Sequence, residues 1–243
     1  MHFNLILRGT DFLIVMESVS YNITMKFDEN KLRLEIVAVT RQIVQQGLAR
    51  SSDGNISARV DDQHILITPS GAYKAWLKPK DLLLLDLEGK PVNPYHSKKP
   101  SSELYMHLEV YQQRPEIRAV IHAHPPYATA LTLVGHPFPS ELVPEALIAL
   151  GEVPTTPYAP PGSLRMAENI RPLIRHHDVL LLDHHGCLCI GRDLADALIK
   201  LERLESVAQL YWLAHNLGEI IPLPPNEIKH LKKIWEEQLL AQK

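Results

Sequence analysis

Two imidazoles one residue apart, in Ile121-His122-Ala123-His124, and a neighbouring pair in His184-His185-Gly186 are the side chains here best suited to hold a metal ion. Side chains alternate along a strand, so His122 and His124 share a face and aim the same way. That is half of a metal site. Pro125-Pro126 follows directly, so His124 sits at a strand end, where open sites are built. One imidazole from His184 or His185 would complete three neutral nitrogen ligands with one open position, the pattern of a catalytic zinc site. Periodicity does not say which of the two faces inward. Gly186 would let the backbone turn sharply there. Cys187 and Cys189 offer a softer ligand set, as in a structural zinc, or are small buried strand residues.

Glu103 is the carboxylate of interest. Pro100-Ser101-Ser102-Glu103 stands where a helix should begin. An acid in a first turn favours the helix dipole, and the same group can transfer a proton if it faces a metal. The two serine hydroxyls and the free N–H groups of a helix start make an anion site. Gly54-Asn55-Ile56-Ser57 and Thr68-Pro69-Ser70-Gly71 are further loops of small residues and donors. Each alone reads as a turn; three together read as a phosphate cradle, if folding makes them converge.

Positioning these groups requires strands under the histidines and a helix behind Glu103. Residues 31–49 have helical period, with Leu34, Val37, Ile43 and Val44 on one face and Gly47 at the end. Residues 55–60 and 64–68 alternate and read as a hairpin. Residues 82–85 form an apolar strand. Ser101 or Ser102 can cap a helix to Gln113, which Arg114-Pro115 stops. Residues 119–124, 179–182 and 187–190 read as strands, and 153–158 as extended. Helical segments are expected at 127–134, 145–150 and 163–176, and from a cap at Asp193 to Leu217. A proline-rich joint at 221–225 leads to a last helix at 226–241. Strands in hairpins and between helices give an α/β fold, a mixed sheet with helices on both faces.

The 243 residues are 45% hydrophobic, enough for a sizeable core. A net charge of -3 without a long basic run argues against nucleic acid as the main partner. No apolar run approaches the ~20 residues of a membrane span. Residues 1–25 are apolar in patches interrupted by Arg8 and Asp11, with no clear basic start or cleavage site. They read as an extension outside the core, Met16 and Met25 being alternative starts, and 26–243 reads as a single domain. Two cysteines in C-x-C spacing are poorly placed for a mutual disulfide, which fits a reducing cytoplasm.

Taken in order, G-N-[IV]-S, T-P-[ST]-G, P-S-S-E, H-x-H and H-H-G resemble the class II aldolases of the fuculose-phosphate aldolase type, over residues 32–211. The resemblance implies a three-layer α/β/α fold with a mixed, mostly antiparallel central sheet. It implies a homotetramer with the active site at a subunit interface. It implies Zn²⁺ on His122, His124 and His185, with Glu103 as the catalytic acid/base. The phosphate of a small sugar substrate would lie against Gly54, Asn55, Ser70, Gly71, Ser101 and Ser102. The implied reaction is aldol cleavage or formation through the enediolate of dihydroxyacetone phosphate.

Departures from that pattern concern the aldehyde half of the substrate. The fuculose-phosphate enzyme has a tyrosine after the H-x-H strand and another near its C-terminus. Here the first region reads Glu141-Leu142-Val143-Pro144-Glu145, and the last helix carries Trp235 and no tyrosine. Tyr127 or Tyr158 can substitute, or simply pack. Relatives on the same scaffold include a 4-epimerase, a dehydratase, a decarboxylase and non-enzymatic adducin-like proteins. The epimerase resembles P-S-S-D at the acid position, so Glu103 favours an aldolase.

Overall fold

The computed structural model describes residues 28–241. Residues 1–25, read from the sequence as an extension, lie outside them. The first helix, α1 (Glu29–Gln45), starts two residues before the hydrophobic period because Asp28 caps it, accepting from the amides of Asn30 and Lys31. Its buried face differs from the one expected. Leu32, Ile36, Val37, Thr40 and Ile43 point inward, while Leu34 is 60% exposed. Thr40 is tolerated inside because its hydroxyl donates to the Ile36 carbonyl at 2.7 Å.

Seven strands form one sheet: β1 (Asn55–Arg59), β2 (His64–Ile67), β3 (Leu83–Asp86), β4 (Ala119–Ala123), β5 (Thr155–Thr156), β6 (Val179–Leu182) and β7 (Gly186–Gly191). Their order is β3-β2-β1-β4-β7-β6-β5. Only the β5–β6 pair is parallel, so the sheet is mixed and mostly antiparallel, as expected. β5 is only two residues long, although 153–158 reads as extended. Pro154 and Pro157 flank it, and neither has an N–H to give to a ladder.

Helices cover both faces. α1 packs with α3 (Pro126–Leu133), α4 (Pro144–Leu150) and α6 (Leu194–Leu217) over one apolar layer that includes Ile56, Ile121, Cys187 and Cys189. On the other face α2 (Leu104–Gln113) and α5 (Leu164–Ile174) cover Ile65, Val120, Leu180 and Leu188. Each such Leu or Ile, fully withdrawn from water, stabilises the fold by about 1.5–3 kcal/mol. The last helix, α7 (Pro225–Ala241), docks on α4. Its Trp235 lies so close to Gly151 that a Cβ there would sit 2.0 Å from the indole. No helix among the described residues is long and apolar enough to cross a membrane.

Candidate metal and anion site

His122 lies on the central strand β4, between β1 and β7, and is wholly buried on the face covered by α2 and α5. Its Nδ1–H donates to the Cys187 carbonyl of β7 at 2.8 Å. That bond fixes the tautomer and leaves the Nε2 lone pair facing the other histidines. His124 Nε2 is 2.9 Å away.

The third imidazole comes from a tight turn. His184 adopts φ 55°, with its amide on Thr132 Oγ1 at 3.1 Å and its ring turned outward to Asp183. This reversal points His185 inward, with its ring centroid 4.8 Å from that of His122 and 4.7 Å from that of His124. A ligand nitrogen from each of the three lies within 4.8 Å of the others. The sharp turn therefore belongs to His184, not to Gly186. Gly186 is required for space instead, since a Cβ would come within 2.4 Å of the Ala123 carbonyl and 2.8 Å of the His124 ring. Lone pairs converging on one point repel unless a cation or a proton lies between them, so the donor set fits a divalent metal. Cys187 and Cys189 are buried in the opposite apolar layer, where burial pushes the Cys187 thiol well up.

Glu103 stands beside these rings. Ser101 Oγ accepts from the Glu103 amide at 3.3 Å, as a capping serine does, but regular helix α2 starts only at Leu104, with Glu103 in the cap position and its carboxylate unused by the helix amides. It is 2.8 Å from His185 Nε2 and 3.1 Å from His122 Nε2, and it accepts from Asn55 Nδ2 at 2.8 Å. Burial alone would raise its pKa. Positive charge and donated hydrogen bonds from the His122 and His185 side of the cluster, where a proton or a cation lies between nitrogen and carboxylate, outweigh that and hold the carboxyl well below the usual range. For His124, burial first and then His122 and His185 lower the pKa to about 3, which keeps its nitrogen free as a ligand.

Behind Glu103 runs a buried polar seam that motif reading passed over. On β1, Asn55, Ser57 and Arg59 face α2, which answers with Glu103, His107 and Tyr111. Four helical residues advance about 6 Å and two strand residues about 6.6 Å, so the rungs stay matched. Proton positions along the seam follow from one end. Asn55 donates to Glu103, so its Oδ1 accepts from His107 Nε2–H; His107 Nδ1 then accepts from Ser57, whose oxygen accepts from Tyr111. His107 is neutral, its pKa lowered to about 3 chiefly by burial and then by His122. The i, i+4, i+8 spacing after Glu103 was the available signal.

Gly54, Asn55, Ser70, Gly71, Ser101 and Ser102 line one cavity of about 250 Å³, together with Glu103, His124 and His185. Lys74, unremarked in the sequence, lines it too. Gly54 has φ 72°, and a Cβ would meet the His122 carbonyl at 2.7 Å, so only glycine lets this loop approach β4. Neither tyrosine candidate is in the cavity lining. Tyr127 packs against Trp212 of α6 at 5.8 Å between ring centroids, and Tyr158 is 53% exposed beside the outward-facing His184.

Residues 34–212 match the family described as "Class II Aldolase and Adducin N-terminal domain". The chain belongs to this class II aldolase family. An L-fuculose phosphate aldolase from Methanococcus maripaludis (strain C7) is 37% identical over 166 residues, covering 68% of this family member and 88% of its own length. A 3-oxo-tetronate 4-phosphate decarboxylase from Haemophilus influenzae is 32% identical over 201 residues, 81% of this chain and 94% of the relative. A solved L-fuculose 1-phosphate aldolase superposes with a TM-score of 0.75 at 33% identity, covering 84% of this chain and 95% of the other.

Proposed function

We propose that this class II aldolase family member is a zinc-dependent lyase that makes or breaks a C–C bond in a small phosphorylated ketose. The observation that carries it is the Glu103 carboxylate, ionised and 2.8–3.1 Å from two of three converging imidazoles, at the wall of a small polar cavity. The chemistry a Zn²⁺ on His122, His124 and His185 supplies is polarisation of the ketose oxygens, which acidifies the neighbouring C–H. In the synthetic direction Glu103 takes that proton from dihydroxyacetone phosphate, and the resulting enediolate carbon adds to an aldehyde carbonyl, whose oxygen takes up a proton; in cleavage the C–C bond breaks, the aldehyde leaves, and Glu103 returns the proton to the same carbon. Asn55 holds the carboxylate in place through this exchange. Ser70, Gly71, Ser101 and Ser102, with Gly54 and Asn55, orient the phosphate and so fix which carbon meets Glu103. The relatives named as aldolases support this reading.

A second reading has one observation in its favour. The tyrosines of the aldehyde half are absent, and a decarboxylase stands among the relatives. The same proton-transfer site serves either reaction. A panel of phosphorylated ketoses and 3-oxo acids assayed for triose phosphate and for CO₂ separates them. Triose phosphate release supports the aldolase; CO₂ release without it replaces that reading with the decarboxylase.

Three wider assignments go with the proposal. The single domain runs through α7, which Trp235 pins to Gly151. A homotetramer accounts for the exposed apolar residues Leu210, Trp212, Leu213 and Leu217 on α6. The free, buried Cys187 and Cys189 suit the cytoplasm.

A further inference from the structure

Lys74 is 2% exposed, yet among the described residues its ammonium meets only neutral partners, the main-chain carbonyls of Ser52 at 2.8 Å and Ala72 at 3.4 Å. It forms no ion pair of 4.0 Å or less among the described residues. Buried charges are normally paired, because leaving one alone in a low dielectric is costly. Burial lowers the lysine pKa, and the charges of Asp53 and Glu103 oppose this from a distance. An ammonium has three N–H groups, so one remains for another acceptor. Lys74 lines the cavity that also holds the Ser70-Gly71 and Ser101-Ser102 loops.

We infer that Lys74 is the cationic partner of the substrate's phosphate monoester, the fixed charge that makes this cavity select phosphorylated over free ketoses. The inference rests on the phosphorylated-ketose reading above. A tetrahedral dianion matches the surroundings better than a planar carboxylate. It presents three terminal oxygens, and the small residues around Lys74 offer hydroxyls and amides from more than one direction. Glu103 cannot balance the lysine, since its carboxylate is already shared among Asn55, His122 and His185. Two bonds to carbonyls hold the ammonium still, so little side-chain freedom is lost when an anion arrives.

The test compares zinc-loaded wild type with Lys74→Gln, which keeps donors for the two carbonyls but loses the charge, and Lys74→Arg, which keeps both. Inorganic phosphate is the probe, as an inhibitor competing with a phosphorylated ketose. Lys74→Gln should raise both the phosphate inhibition constant and KM for the phosphorylated ketose roughly ten- to hundredfold. Its proton exchange on unphosphorylated dihydroxyacetone, which has no phosphate to anchor, should fall far less than its kcat/KM for the phosphorylated ketose. Lys74→Arg should restore most of the phosphate affinity. Unchanged phosphate inhibition in Lys74→Gln overturns the inference, as does an equal loss on phosphorylated and free ketoses. Wild type indifferent to both phosphate and phosphorylation would instead sink the substrate reading itself. Should the variants misfold, a crystal of wild type with inorganic phosphate decides: an anion within hydrogen-bond reach of Nζ supports the role, and one seated elsewhere overturns it.

Discussion

Asn55 and Glu103 meet at 2.8 Å, the amide donating to the carboxylate, across the gap between β1 and the start of α2. The pair joins the two halves of the site. Asn55 leads a strand that continues as the hairpin to β2, and Glu103 leads the helix that covers it. The neighbouring imidazoles thus meet a carboxylate whose orientation is set by the fold rather than by the ligand.

Glu103→Gln should keep bound zinc, since the three histidines are untouched. Proton exchange at dihydroxyacetone phosphate should fall roughly 10²–10⁴-fold, the range of general acid–base catalysis. Metal analysis and deuterium incorporation read the two separately. Wild-type exchange in the variant would move the base to another residue.

Chelation should abolish turnover, and added Zn²⁺ should restore it. His122→Ala should purify with little metal and show no rescue, because His122 sits at the centre of the cluster with its tautomer fixed by Cys187. Metal content of the purified protein checks this. A stoichiometric metal in the variant would show that His122 is not a ligand, and none in the wild type would favour a scaffold of the adducin kind.

His107 gives the fold a one-sided pH response. Its pKa is about 3 in the native protein and near 6.5 unfolded, so the unfolded chain binds the extra proton. The stability it contributes is complete above pH 6.5 and is lost as pH falls toward 3, by about 2 kcal/mol at pH 5. Urea unfolding at pH 7 and pH 5 should show this loss in wild type and less of it in His107→Gln. Equal slopes in the two proteins would contradict the buried neutral histidine.

Gly186→Ala should displace the His124 ring, because the new Cβ would sit 2.8 Å from it. Overpacking of this kind costs roughly 1–3 kcal/mol, and metal affinity should weaken about 10–100-fold. Thermal unfolding with and without zinc measures both. An unperturbed affinity would show that β7 can yield at this point.

Much of this arrangement was legible in the sequence, and the exceptions have physical reasons. Strand periodicity placed His122 and His124 on one face, because alternation is local geometry. It was silent on His184 against His185, since a residue at φ 55° breaks the alternation between them. The serines predict a start for α2 one to two residues early, because serines before a helix usually cap it, whereas here Glu103 takes the cap position. Lys74 escaped notice because a lone lysine normally lies on the surface; its burial depends on the loops at 50–54 and 70–72 folding over it. His107 and Tyr111 read as ordinary helix residues. Only the pairing of α2 with β1, a contact between residues about 50 apart, shows that they extend the line begun by Glu103.

The agreement between helix rise and strand repeat along the β1–α2 seam makes it a register lock. Inserting one residue between Glu103 and His107 would swing Glu103 by about 100° relative to the rungs below it. The imidazole would then leave Asn55, and the carboxylate would leave the histidines in the same step. Length changes in this stretch of α2 should therefore abolish activity and fold together, while similar changes beside Tyr95, 93% exposed at the tip of the preceding loop, need disturb neither.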